Sequence, residues 1–247
     1  MNRLFLFDID GTLAIGSDIP KSAKLALKKL RENGDLVLLS SGRCIGSMKP
    51  ILDQIEVDGA ICNNGGYAFI GDDVLFESEI DKNTINKMID DGLHLSYLSR
   101  DSFFRIEEDQ IFYDFADTFK IPTAKLRDES ALNEKIYSMC IQDYDADKID
   151  VSQYNLRAVR VCKLGYDVMN MGINKASALP SIRNRYKDYK IIAFGDNLND
   201  IEILKAADIS IAMGQAPTLV KEASAYVTKK PFEDGILYAI NEYLGGF

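Results

Sequence analysis

Residues 4–12 read LFLFDIDGT, and how this stretch is read decides the fold. Four apolar residues run into two carboxylates, Asp8 and Asp10, one residue apart, and then into a glycine. A short, uniformly apolar run of this kind has the pattern of a parallel strand buried on both faces. Two carboxylates at its end repel one another unless something offsets their charge, and a cation is the simplest candidate.

Outward from that strand, SAKLALKKLRENG has helical spacing with an Asn-Gly stop, and the apolar DLVLLSS follows at once. A helix-like stretch through MKPILDQI leads to the strand-like GAICN. The C-terminal part repeats the alternation: a helix after Lys175, the strand KIIAF, a helix through DIEILKAAD, the strand ISIAMG and a last helix in GILYAINEYL. Strands alternating with helices at this spacing predict an α/β, doubly wound parallel-sheet (Rossmann-like) core. NNGG at Asn63–Gly66 supplies a turn before the hairpin-like YAFIGDDVLFE. The middle, from about Phe76 to about Asp167, reads differently. HLSYLS, FFRIEE, KIYSMCI and RAVRVC resemble half-buried strands, separated by acidic or turn-rich pieces such as QDYDADKID at 142–150. An inserted α+β domain with an antiparallel sheet is expected there, with core at 1–79 and 168–247 and insertion at 80–167.

The chain of 247 residues is long enough for a proper core without staples, and its 47% hydrophobic and 27% charged residues are ordinary for a globular protein. The apolar run at the start is too short for a signal-peptide core and is followed by acids, so a cytoplasmic, non-membrane protein is expected. Cys44, Cys62, Cys140 and Cys162 form no CxxC pair, which favours reduced, buried thiols. A net charge of −9 with scattered basic residues opposes nucleic-acid binding. The single histidine, His94, leaves no material for a multi-histidine metal site and is read as structural.

In an open parallel sheet, ligands collect beyond the carboxyl ends of the strands. Asp8 and Asp10 end the first strand, Ser40, Ser41, Gly42 and Arg43 the second, and the sequence GDNLND at 195–200 the late strand KIIAF. Lys175 lies at the apparent start of a helix facing the same crevice. Asp8, Asp10, Asp196 and Asp200 are then expected to converge, and such a cluster is unfavourable without a divalent cation. All-oxygen ligation with room for waters matches Mg²⁺. A phosphate would complete the site, held by Lys175, the Ser41 hydroxyl and backbone N–H groups around Ile9 and Asp10.

DIDGT, SSGR, NK and GDNLND resemble, in order, the four signatures of the haloacid dehalogenase (HAD) superfamily of phosphatases. SerGlyArg, the large insertion and GDxxND are most similar to its Cof-like sugar-phosphatase group. The resemblance covers residues 1 to about 80 and about 168 to 247 and is weak in the insertion, which would be the cap. It implies a Mg²⁺-dependent phosphomonoesterase acting on a small phosphorylated metabolite, a sugar phosphate or similar, as a monomer or weak homo-oligomer. Asp8 would be the nucleophile that forms an aspartyl-phosphate. Asp10 would act as general acid and base and ligate the metal through its main-chain carbonyl. Asp196 would be a further ligand, with Asp200 binding directly or through water. Lys175 and Asn199 would orient and neutralise the phosphoryl group, and Ile9, Gly42 and Arg43 would lie at the phosphate or substrate. Arg43, Asn64 and residues around 105–117 are candidates for contacting the leaving group. Ser41 stands where the family more often has Thr, and Gln215 where Asn often follows AMG. Pro180 requires the helix after Lys175 to start late or kink.

A phosphomutase of the same superfamily is the nearest alternative, distinguished by whether inorganic phosphate or an isomerised sugar phosphate is produced. A phospho-accepting receiver domain fits less well, since receivers are shorter and lack an insertion. No GxxxxGK[ST] is present for a P-loop kinase.

Overall fold

The computed structural model describes residues 2–118, 121, 124–142 and 150–247. Most of the acidic piece at 142–150, namely 143–149, lies outside the described residues. The chain first lays down β1 (Asn2–Phe7), α1 (Lys21–Glu32), β2 (Leu36–Ser40), α2 (Lys49–Leu52), β3 (Gly59–Cys62), β4 (Tyr67–Ile70) and β5 (Asp73–Glu77). It continues through α3 (Lys82–Asp90), β6 (Leu95–Leu98), β7 (Phe103–Arg105), α4 (Gln110–Thr118), β8 (Lys125–Leu126), β9 (Ser138–Gln142), β10 (Leu156–Cys162) and β11 (Gly165–Asn170). The last part holds α5 (Leu179–Arg185), β12 (Tyr189–Gly195), α6 (Ile201–Ala206), β13 (Ile209–Ala212), α7 (Thr218–Glu222), β14 (Tyr226–Val227) and α8 (Gly235–Tyr243).

Eight strands form the first sheet in the order β14-β13-β12-β1-β2-β3-β4-β5. β14 through β3 are parallel, and β4 runs antiparallel to both of its neighbours, β3 and β5. β1 is central because all four of its apolar residues find cover. Phe5 and Phe7 point into a core with Ala23, Ala26, Leu27 and Leu30 of α1 and Ile236, Ala239 and Ile240 of α8. Leu4 and Leu6, on the opposite face by the two-residue period, pack with α5, α6 and α7 through Leu179, Ile182, Ile203, Leu204 and Val220. Helices thus cover both faces, as the doubly wound reading expects. α1 ends at Asn33 and Gly34, whose φ of +88° suits glycine.

A second, six-stranded sheet has the order β10-β11-β9-β6-β7-β8 and is antiparallel except between β7 and β8. One face packs on α3 through Ile85 and Met88. The other carries Phe103 and Cys140, which pack with Phe112 and Phe115 of α4 and with Cys44 from the loop after β2. A buried apolar cluster therefore ties the second sheet to the first at the carboxyl end of the parallel strands. β11 runs to Asn170 within this sheet, so the expected break after residue 167 falls inside a strand; a strand's period does not say which sheet it joins.

Pro180 sits in the first turn of α5, where its missing N–H leaves no intrahelical bond unmade. The helix starts late, and Lys175 lies in the preceding turn rather than at the helix start. That turn is held by hydrogen bonds from Asn174 N to Ser177 Oγ at 2.9 Å and from Ala176 N to Asn174 Oδ1 at 2.9 Å. Among the described residues no helix is long and apolar enough to cross a membrane.

Phe7 is fully buried, and its ring stacks on Phe194 of the neighbouring β12 at 4.8 Å between centroids. Phe7→Ala is expected to destabilise the protein by about 3–5 kcal/mol. Denaturant unfolding checks this, and a midpoint equal to the parent's would contradict the central place given to β1.

Candidate active site

Beyond the carboxyl ends of β1, β2 and β12 the loops converge. The turn after β1 is tight: Leu13 N donates to Asp8 O at 3.2 Å and Ala14 N to Ile9 O at 2.8 Å. The side chain of Ile9 is buried in the core. Gly11 adopts φ +91°, and a Cβ there would lie 2.3 Å from Asp196 Oδ2. Only glycine lets this turn pass against the loop after β12. Thr12 Oγ1 donates to Asp196 Oδ1 at 3.0 Å, and Gln215 Nε2 donates to Gly11 O at 2.5 Å and to Asp196 Oδ2 at 3.3 Å. Gln215 thus ties two of the loops together, a role its departure from the family's Asn did not announce.

At the centre stands Lys175, 2% exposed. Its Nζ donates to Asp8 Oδ1 and to Asp200 Oδ1, both at 2.6 Å. Asp200 is fully buried, and its other oxygen accepts the backbone N–H groups of Asp196 and Asn197, each at 3.0 Å. Asp8, Asp196 and Asp200 each offer a carboxylate oxygen within 4.8 Å of the others. Burial, then the Asp200 carboxylate, push Asp8 well above the ordinary carboxylate range, with the Lys175 ammonium opposing. Asp196 is pushed up to about 6, first by burial and then by Asp200. Burial works against the Lys175 ammonium, yet Asp200 and Asp8 outweigh it and hold its pKa above the ordinary value.

Three carboxylates around one ammonium leave the cluster short of positive charge. The donors are all hard oxygens, close together and on rigid loop ends, and they fit a small divalent cation.

The other expected residues are placed as follows. Asp10 is not in that group of three: its exposed carboxylate is held bidentately by Arg43, Nη2 to Oδ1 at 2.6 Å and Nε to Oδ2 at 2.9 Å. Arg43 therefore meets an acid rather than an open anion site, and its Nη1 also donates to Ser47 O at 3.2 Å. Ser41 is buried at the end of β2, and its Oγ accepts Arg43 N at 3.2 Å. Asn199 Nδ2 donates to Asn64 Oδ1 at 3.1 Å. Asp8, Asp10, Ser41, Gly42, Arg43, Lys175 and Asn199 all line one cleft, whose opposite wall comes from the second sheet. Of the 105–117 candidates, Phe115 reaches this cleft, whereas Arg105 is buried elsewhere in the second sheet, bonded to Gln142 Oε1 and Asp109 Oδ2 at 3.2 and 3.1 Å. His94 is exposed, its Nδ1 3.1 Å from Arg105 Nη2, and is not a lining residue of the cleft.

Gly11→Ala adds both backbone strain and a collision with Asp196. The variant is expected to lose about 1–3 kcal/mol of stability, read as a lower thermal midpoint. An unchanged midpoint would contradict the tight approach of these two loops.

Comparison with known proteins agrees with this arrangement. Residues 5–240 match the haloacid dehalogenase-like hydrolase family. YkrA of Bacillus subtilis (strain 168) is 27% identical over 267 residues, covering 98% of this chain and 97% of YkrA. The 5-amino-6-(5-phospho-D-ribitylamino)uracil phosphatase YcsE of the same organism is 25% identical over 254 residues, covering 98% and 96%. Among solved structures, the HAD subclass IIB sugar phosphatase BT4131 superposes with a TM-score of 0.81 at 25% identity, covering 98% of each chain. The chain belongs to the haloacid dehalogenase-like hydrolases, and it is a phosphatase of that family.

Proposed function

We propose that the chain is a Mg²⁺-dependent phosphomonoesterase that releases phosphate from a small phosphorylated metabolite through an aspartyl-phosphate on Asp8. The observation that carries this reading is the buried Lys175 ammonium shared between Asp8 and Asp200, with Asp196 completing a set of oxygens within 4.8 Å. A carboxylate pushed toward its neutral form by burial is a poor nucleophile; the Lys175 ammonium opposes that push, and a bound cation would oppose it further. Asp8, Asp196 and Asp200, with the main-chain carbonyl of Asp10, would hold the cation, which supplies charge neutralisation for the transferring group.

In the first step an Asp8 oxygen attacks phosphorus, the bond to the leaving oxygen breaks, and Asp10 gives that oxygen its proton. In the second, water attacks the same phosphorus, Asp10 takes the proton from water, and the Asp8 carboxylate is released with inorganic phosphate. Arg43 grips Asp10 at the mouth of the cleft and sets the direction in which its carboxyl faces. The Ser41 hydroxyl, the Lys175 ammonium, Asn199 and the backbone at Ile9 and Gly42 would surround the phosphoryl oxygens. Residues 1–79 and about 171–247 act as the catalytic core, and the segment between them acts as a cap that covers the reacting groups.

Asp8→Asn is expected to abolish turnover while its thermal midpoint stays near the parent's, since an amide retains the size and an oxygen for Lys175. Phosphate release at the parent's rate would contradict the assignment. Treatment with a chelator is expected to remove activity and added Mg²⁺ to restore it; full activity in excess chelator would contradict the cation requirement.

A further inference from the structure

Opposite the phosphoryl-transfer residues, on β11, stands an acid that the reaction above does not use. Asp167 lines the same cleft as Asp8 and Lys175. Its Oδ2 accepts Asn64 Nδ2 at 2.6 Å, and its Oδ1 accepts the Cys140 thiol at 2.9 Å. Both donors are neutral. A carboxylate has about four lone-pair sites, so two remain for a ligand. Burial pushes Asp167 upward, with the Cys140 and Asn64 hydrogen bonds and then the charge of Lys175 opposing; Lys175 Nζ spends its hydrogen bonds on Asp8 and Asp200, so the two direct partners of Asp167 are the neutral ones.

Its position is fixed from the catalytic side. Asn64 has a left-handed backbone, φ +50°, and is 3% exposed. Its amide is locked, Nδ2 toward Asp167 and Oδ1 toward Asn199 Nδ2. Gly42 closes the floor beneath: a Cβ there would lie 2.9 Å from Asn64 Nδ2 and 3.2 Å from Asp167 Oδ2. The loop after β12, the turn after β3 and β11 thus hold Asp167 at a set distance from the nucleophile.

The surrounding wall is apolar. Leu98, Phe103, Phe115, Ile121 and Val161 line the cleft beside Asp167. A polyhydroxylated leaving group would press hydroxyls against these side chains without partners, whereas a flat or aliphatic body would bury apolar area against them. Resting on the phosphatase reading above, we infer that Asp167 is the specificity-determining residue of the cleft. It accepts a hydrogen bond from a hydroxyl or amine of an aromatic or otherwise largely apolar phosphomonoester.

The experiment measures phosphate release by the full-length protein with Mg²⁺ from four probes: para-(aminomethyl)phenyl phosphate, para-(hydroxymethyl)phenyl phosphate, para-tolyl phosphate and a hexose phosphate. The parent protein is expected to favour the two donor-bearing aryl phosphates over para-tolyl phosphate by about tenfold or more in kcat/KM, mainly through KM. The hexose phosphate is expected to be poorer than either, and this ordering needs no variant. In Asp167→Asn, whose folding is followed by its thermal midpoint, the ratio of donor-bearing to tolyl substrate is expected to collapse toward one. Turnover of para-tolyl phosphate that depends on Asp8 but shows no preference for a donor would overturn this inference and leave the phosphatase reading standing, as would a preference that Asp167→Asn leaves intact. Absence of phosphate release from all four probes would overturn both.

Discussion

The structure depends on one buried contact, the ammonium of Lys175 held between the carboxylates of Asp8 and Asp200. Removing the shared ammonium from such a group costs about 3–5 kcal/mol, because both carboxylates are then left without a counter-charge away from water. Replacing a buried ion pair outright with apolar residues is often neutral or better for stability. Stability alone therefore does not explain three acids and a lysine in one small volume; a site at which a phosphatase works does.

The fold meets this demand by placing charge where the sheet ends. β1, with helices on both faces, supplies a rigid apolar base, and its chain emerges at Asp8. β12 lies alongside in parallel register, Phe7 against Phe194, so the loop carrying Asp196 and Asp200 emerges beside Asp8. Gly11 and Gly195 permit the close approach: a Cβ at Gly195 would lie 2.6 Å from the Cβ of Asp200. The second sheet then covers the open end through the cluster of Cys44, Phe103 and Phe112. Covering strengthens each electrostatic interaction inside by lowering the local dielectric.

Much of this could be read from the chain before any coordinates. LFLFDIDGT announced both a doubly buried strand and a charged strand end, and the alternation of helices and strands gave the layers. SSGR and GDNLND marked two more strand ends, and the amphipathic middle segments marked a sheet of another kind. What escaped were pairings between side chains distant in sequence. Arg43 lines the cleft as its expected place at the phosphate or substrate requires, but its pairing with Asp10, 33 residues away, has no signal in the sequence. Gln215 ties Gly11 to Asp196, 204 and 19 residues away. Asp167 sits in a strand whose two-residue period names its face but not the cleft that face meets.

Covalent capture of the nucleophile tests the central claim most directly. A reaction quenched in acid during turnover and digested for mass spectrometry is expected to show a phosphoryl group on the peptide containing Asp8, lost on treatment with hydroxylamine as an acyl phosphate would be. A phosphoryl group on a different residue, or turnover with unmodified Asp8 at every time sampled, would contradict the role of the Lys175-held carboxylate.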